Sequence, residues 1–179
     1  MLLVGVLRIL ALAGAACSTS TPRDGGDAGD AGVTIFPAGF RAAGFQMVRA
    51  CRAPGEHSGI NGFTVWVDDA AATTYDQILA GGPGPTDAGV RQMPDGAIVI
   101  KELFGDRDCT VVDRWVAMKK IAGFDPAHGD WYWQDLAPTR AVLREGQLPA
   151  CSDCHEGRPD GTCAGFGTVN GMDYLCTAP

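Results

Sequence analysis

The sequence predicts an α+β fold, a strand-rich domain with a few helices, on three observations. Runs of β-branched and aromatic residues, bounded by Gly, Pro or Asp, recur from Gln46 to Leu136. Only two stretches among them read as helical, one from Asp69 to Gly81 and a shorter one from Pro138 to Glu145. The chain has 179 residues, and its first 35 are an apolar leader and a polar connector, which leaves residues 36–179 for a single domain with its own core.

Residues 1–17 read as a signal peptide or lipobox. Leu2 to Ala16 is apolar apart from Arg8, ends in the small residues Ala13-Gly14-Ala15-Ala16, and is short for a membrane span. Gly14-Ala15-Ala16-Cys17 resembles a bacterial lipobox, in which Cys17 becomes the acylated N-terminus. Gly14 stands where such boxes usually carry Leu, so plain cleavage near Ala15 or Ala16 is the alternative. Residues 18–35, with Asp24-Gly25-Gly26-Asp27-Ala28-Gly29-Asp30, offer little to bury and form a flexible linker. A calcium loop is excluded there, because the alternating acidic positions and closing Glu are missing.

Inside the domain, Gln46–Ala50 and Phe63–Val67 are predicted strands. The pattern then turns helical: Asp69 is an N-cap candidate, Ala71, Tyr75, Ile78 and Leu79 share a face, and Gly81 marks the stop. Gly82 to Pro85 is a loop. Pro94-Asp95-Gly96 forms a turn that launches a strand from Ala97 to Phe104. Alternation places Ala97, Val99, Lys101 and Leu103 on one face of it and Ile98, Ile100, Glu102 and Phe104 on the other. Both faces are apolar but for one charge each, so either Lys101 or Glu102 is drawn inward, or Lys101 runs along apolar neighbours to solvent. Val111–Ile121 and Gly129–Leu136 are further strands, and Pro138–Glu145 a short helix ending at Gly146.

Chemistry concentrates in Cys151-Ser152-Asp153-Cys154-His155. Two thiols at this spacing add across the vinyl groups of haem, and the histidine that follows is placed to ligate the iron. The motif therefore predicts one covalently attached haem c, with Cys151 and Cys154 as anchors and His155 as the metal ligand. A structural disulfide, a dithiol redox pair and half of a zinc site are the competing readings. The redox pair usually opens a helix in a βαβ unit, and the zinc site needs a second ligand pair.

The seven cysteines suit an oxidising compartment, as does haem c. With Cys17 assigned to lipid and Cys151 and Cys154 to haem, Cys51, Cys109, Cys163 and Cys176 remain, with three connectivities. Cys51 with Cys109 and Cys163 with Cys176 is the favoured set; buried thiols are the alternative. A net charge of -7 and the lack of any basic run argue against nucleic acid.

Taken together, Pro94-Asp95-Gly96-Ala97-Ile98-Val99-Ile100-Lys101-Glu102, Trp115-Val116-Ala117-Met118-Lys119, Gly129-Asp130-Trp131-Tyr132-Trp133 and Cys151 to His155 resemble the cytochrome P-460 family of exported c-type cytochromes, which includes the cytochrome c-prime-beta proteins. The resemblance implies a mainly antiparallel β-sheet with a few helices, commonly a homodimer, and a haem with histidine on one side and an open distal face. It also implies hydroxylamine oxidation and a lysine cross-linked to the porphyrin. By position Lys101 is the cross-link candidate, with Lys119 and Lys120 as rivals.

Three functions follow as expectations: an enzyme oxidising hydroxylamine or a related small nitrogen compound and passing electrons to a redox acceptor protein, a nitric oxide binder or sensor without turnover, and a simple electron carrier. The expected location is the periplasm or outer membrane, with a membrane anchor at Cys17 if it is acylated. His57 and His128 are candidates for a proton relay or sixth ligand, or are surface residues. Met47 and Met118 read as core. Trp66, Trp115, Trp131 and Trp133 either line the haem cleft or belong to the core.

Overall fold

Among the described residues six strands follow one another as an antiparallel meander, in the spatial order β1-β2-β3-β4-β5-β6. The computed structural model describes residues 34–53, 60–80 and 92–156 together with Leu175. The leader, most of the linker, His57, the Gly82–Pro85 loop and the Cys163 and Cys176 pair lie outside the described residues. The elements are β1 (Phe45–Arg52), β2 (Gly62–Asp68), α1 (Ala72–Ala80), β3 (Ile98–Phe104), β4 (Val112–Lys120), a 3-10 turn at Pro126–His128, β5 (Trp131–Leu136), β6 (Val142–Gly146) and α2 (Pro149–His155). The fold is thus α+β and dominated by an antiparallel sheet.

Strand alternation and register divide the core between the two faces of this sheet. On the first face Phe63, Val65, Val67, Val99, Leu103, Met118, Trp131 and Trp133 form one apolar cluster, which Tyr75 and Ile78 of α1 and Cys151 of α2 cover. On the second face Trp66, Ile100, Trp115, Ala117 and Leu136 meet Phe36 and Phe40. Phe40 packs edge-on against Trp66, Trp115 and Phe36, at centroid distances of 5.4, 5.9 and 5.3 Å, an arrangement that the ring quadrupoles favour. Ile35 N donates to Gln134 Oε1 at 2.9 Å, which ties the start of this covering segment to β5.

The charged pair in β3 separates as alternation requires. Glu102 is the residue drawn inward: it is 2 % exposed and lies on the second face. Its carboxylate accepts from Thr64 Oγ1 at 2.6 Å, from Trp66 Nε1 at 2.7 Å and from Arg41 Nε at 2.8 Å. Lys101 is half-buried on the first face, with Nζ 4.5 Å from the centre of the Phe63 ring.

Local chemistry sets the connections. Gly96 has φ +86, which allows the Pro94-Asp95-Gly96 turn to close with Ala97 N donating to Pro94 O at 3.1 Å. Asp68 Oδ1 accepts from Ala71 N at 3.1 Å and Asp68 Oδ2 from Ile98 N at 2.6 Å. One carboxylate therefore both steadies the approach to α1 and fixes the start of β3. The expected cap, Asp69, is exposed, and its N–H donates to Gly44 O at 3.0 Å.

The helix expected over Pro138–Glu145 is a correction: this stretch is a hairpin turn and strand β6. Arg140 takes φ +70, a left-handed conformation that ends helical propagation, and the turn closes through Ala137 N to Ala141 O at 2.9 Å. Arg140 Nη2 donates to Phe36 O at 2.7 Å, and its guanidinium lies 4.4 Å from the Phe36 ring centre. From there Val142, Arg144 and Gly146 are half-buried while Leu143 and Glu145 are exposed; a register shift sends Val142 to the second-face cluster and Arg144 to the first face, where its Nη2 donates to Asp135 Oδ2 at 2.5 Å. Met47, read as core, is likewise corrected: it is 48 % exposed on β1, an edge strand among the described residues.

Cys51 and Cys109 form a disulfide, with an S–S distance of 2.05 Å. It joins the end of β1 to the loop between β3 and β4. In that loop Asp106 accepts from Thr110 N and Val111 N, at 3.0 and 2.9 Å, and from Thr110 Oγ1, and these bonds hold its carboxyl below the usual range.

Candidate functional site

Helix α2 carries the whole motif from Cys151 to His155. Pro149 stands in its first turn, where a missing N–H costs nothing and the fixed φ suits the helix. Cys151 N and Ser152 N both return to Leu148 O, at 2.8 and 3.0 Å. With residues three and four apart on one side of a helix, Cys151, Cys154 and His155 share a face, while Asp153 and Glu156 are exposed.

That shared face meets the first face of the sheet. Cys151 is 8 % exposed and belongs to the apolar cluster, and Leu148 packs beside it. Cys154 and His155 are half-buried, and both cysteines carry thiols rather than a disulfide. The His155 ring meets the buried Trp133 ring at a tilt of 70°, with centroids 5.1 Å apart. Trp133 Nε1 is itself buried and has no hydrogen-bond partner among the described residues.

The competing readings of the motif meet different obstacles. A dithiol redox pair does open a helix after a strand, as here, but β6 ends an antiparallel meander rather than a βαβ unit, and the first thiol is buried rather than presented to a partner. Among the described residues no three His, Cys, Asp or Glu side chains gather as a metal site. The two thiols and the imidazole on one helix face, beside an apolar surface, are the residue types that a haem c anchor uses.

The remaining site candidates are sorted by face. Lys101 shares the first face with Cys151, because Val65 and Val116, its partners in β2 and β4, lie there. Lys120 is also on that face, buried, with Nζ 5.0 Å from the Trp131 ring centre. Lys119 pairs with Ile98 and Tyr132 and lies on the second face, opposite Cys151. Trp133 adjoins the motif helix and Trp131 belongs to the same cluster, whereas Trp66 and Trp115 are core on the far side. Met118 is core on the near side.

His128 sits at the 3-10 turn with Nδ1 3.0 Å from both carboxylate oxygens of Asp125.

Sequence reasoning missed a set of basic residues on this face. Arg49 and Arg52 of β1, Arg114 of β4 and Arg144 of β6 are each half-buried. Arg52 lies 5.4 Å from the Phe63 ring centre and Arg49 5.9 Å from that of Tyr75. Arg144 and Arg114 flank Asp135, at 2.5 and 3.7 Å. Only strand pairing unites them; in the linear sequence they are scattered. No protein-family model and no curated protein matches this chain.

Proposed function

We propose that this chain is an exported, lipid-tethered mono-haem c-type protein that oxidises hydroxylamine or a related small nitrogen compound. One observation carries the reading: Cys151, Cys154 and His155 share a face of α2 that packs on an apolar sheet surface, with His155 against Trp133. The Cys51–Cys109 disulfide supports export, since such bonds persist in oxidising compartments.

In this reading the thiols of Cys151 and Cys154 add across two vinyl groups, each thiol hydrogen passing to a vinyl carbon. The haem, when bound, supplies an iron that takes the small nitrogen ligand and relays its electrons. His155 would be the residue to hold that iron, and the Trp133 ring restricts how the imidazole can turn. Trp131, Trp133 and Met118 keep water from the surface beneath. Lys101 is the candidate for a bond from its amine to the porphyrin edge, which would replace an amine N–H and a porphyrin C–H and pass two electrons and two protons to an oxidant such as a peroxide; Phe63 steadies its chain on the face that Cys151 covers. Electrons leave to an external acceptor protein, and protons from hydroxylamine go to solvent.

The test uses haem-loaded protein, hydroxylamine and an artificial electron acceptor. Hydroxylamine-dependent reduction of the acceptor is expected. High-spin iron that binds nitric oxide without turnover would replace this reading with a sensor, and six-coordinate low-spin iron with an electron carrier.

A further inference from the structure

Cys151 and Cys154 share one face of α2, yet they are unequally placed. Cys151 is 8 % exposed within the apolar cluster, whereas Cys154, almost one turn further on, is half-buried. Both are thiols. A thiol reacts as its thiolate and only where a reagent can reach it. The same electrophile therefore meets Cys154 in the packed chain, and Cys151 only after α2 has moved.

The helix can move as a unit. It has seven residues, and helices this short hold through packing rather than by themselves. Cys151 N and Ser152 N donate to Leu148 O, and Ser152 Oγ donates to Pro149 O at 3.3 Å; these bonds lie within the segment and survive a displacement of the whole helix. Against the sheet stand Cys151 in the cluster, Leu148 beside it, and the His155 ring edge-on to Trp133. Directly upstream, Gly146 pairs with Trp133 across β5 and β6, with φ +98 and open space where a Cβ would stand. The chain can turn at such a residue without disturbing a packed side chain. The exposed bond from Gln147 Nε2 to Phe124 O, at 3.1 Å, follows it. Local openings of this kind cost less than global unfolding.

We propose that α2 is a latch over its own motif: closed, it presents Cys154 and shields Cys151; pivoting at Gly146, it releases Cys151. Covalent modification of the pair then proceeds in the order Cys154, Cys151. The inference rests on the proposed function where the modifying group is haem. There Cys154 adds first, its sulfur bonding to one vinyl carbon and its hydrogen passing to the other. Cys151 adds to the second vinyl group in the same way once the latch has opened. Both steps are additions, with no leaving group and no external oxidant.

Alkylation of full-length chain prepared without haem tests the order. Iodoacetamide is added under anaerobic, non-reducing conditions, and fragment masses of the peptide spanning Cys151 to His155 give a rate for each thiol. Each rate is divided by that of the same thiol in urea-unfolded chain, which removes differences in intrinsic reactivity. Cys154 is expected to react about tenfold faster than Cys151. His155→Ala should speed Cys151 about fivefold, and His155→Phe, which keeps a ring against Trp133, should return it to near the wild-type rate. Below the unfolding transition the Cys151 rate should change little with urea, because opening α2 exposes little surface. Equal normalised rates, a Cys151 rate indifferent to His155→Ala, or one that follows global unfolding in urea overturns the latch. With a c-type cytochrome maturation system, Cys151→Ala chain should carry several-fold more haem than Cys154→Ala chain; an equal or reversed ranking overturns the order for haem. Failure of the wild-type chain to acquire haem contradicts the proposed function instead, and alkylation then decides the latch alone.

Discussion

Lys101 and Glu102 are adjacent in β3, yet they serve opposite faces of the sheet: Glu102 closes a buried network with Thr64, Trp66 and Arg41, while Lys101 lies along Phe63 on the side of α2. Removing the Glu102 carboxylate would strand the buried Trp66 N–H and Thr64 hydroxyl. Glu102→Ala is expected to cost about 3 kcal/mol in urea unfolding. Arg41 is half exposed, so Arg41→Ala should cost only about 1 kcal/mol. Equal losses from the two variants would mean that the ion pair, rather than the hydrogen bonds to Trp66 and Thr64, dominates.

The disulfide closes a loop with a sequence separation of 58 between Cys51 and Cys109. Cys51→Ala/Cys109→Ala should lower stability by about 4 kcal/mol on chain-entropy grounds, an upper figure read by the shift in denaturant midpoint. Gly62 is part of the same corner: a Cβ there would lie 2.7 Å from Asp106 O and 2.7 Å from Cys109 Sγ. Gly62→Ala is expected to cost about 2 kcal/mol because backbone as well as sulfur must move. If Gly62→Ala unfolds at the wild-type midpoint, the loop does not pack as described.

Most of the sheet was legible because β3 and β4 carry long apolar runs, and period-2 alternation assigned Lys101 and Glu102 to separate faces. β6 was not. Val142 to Gly146 is short and rich in good helix formers, and its strand conformation comes from Asp135, Gln134 and the Arg140 turn, which are tertiary partners. Asp68 was passed over for Asp69 because two aspartates in succession both look like caps. Within the site, Cys151, Cys154 and His155 announce themselves by spacing. Arg49, Arg52, Arg114 and Arg144 do not, because a row across strands has no linear signature until the register is known.

Tyr132 provides a pH-dependent check. Burial, and next the hydrogen bond and charge of Glu145, push its phenol up to about 12, above the ordinary 10.0. A raised folded value means that its contribution to stability is complete below pH ~10 and is lost as pH rises toward ~12. Wild-type protein should therefore lose stability more steeply than Tyr132→Phe between those limits. Parallel thermal melting profiles for the two proteins across that window would contradict the placement of Tyr132 beside Glu145.

The most direct measurement is the mass of the peptide spanning Cys151 to His155, taken from full-length chain exported alongside a c-type cytochrome maturation system. The account predicts a haem carried on that peptide through both cysteines, absent from Cys151→Ala/Cys154→Ala. Mature exported protein in which Cys151 and Cys154 bear no haem would contradict it.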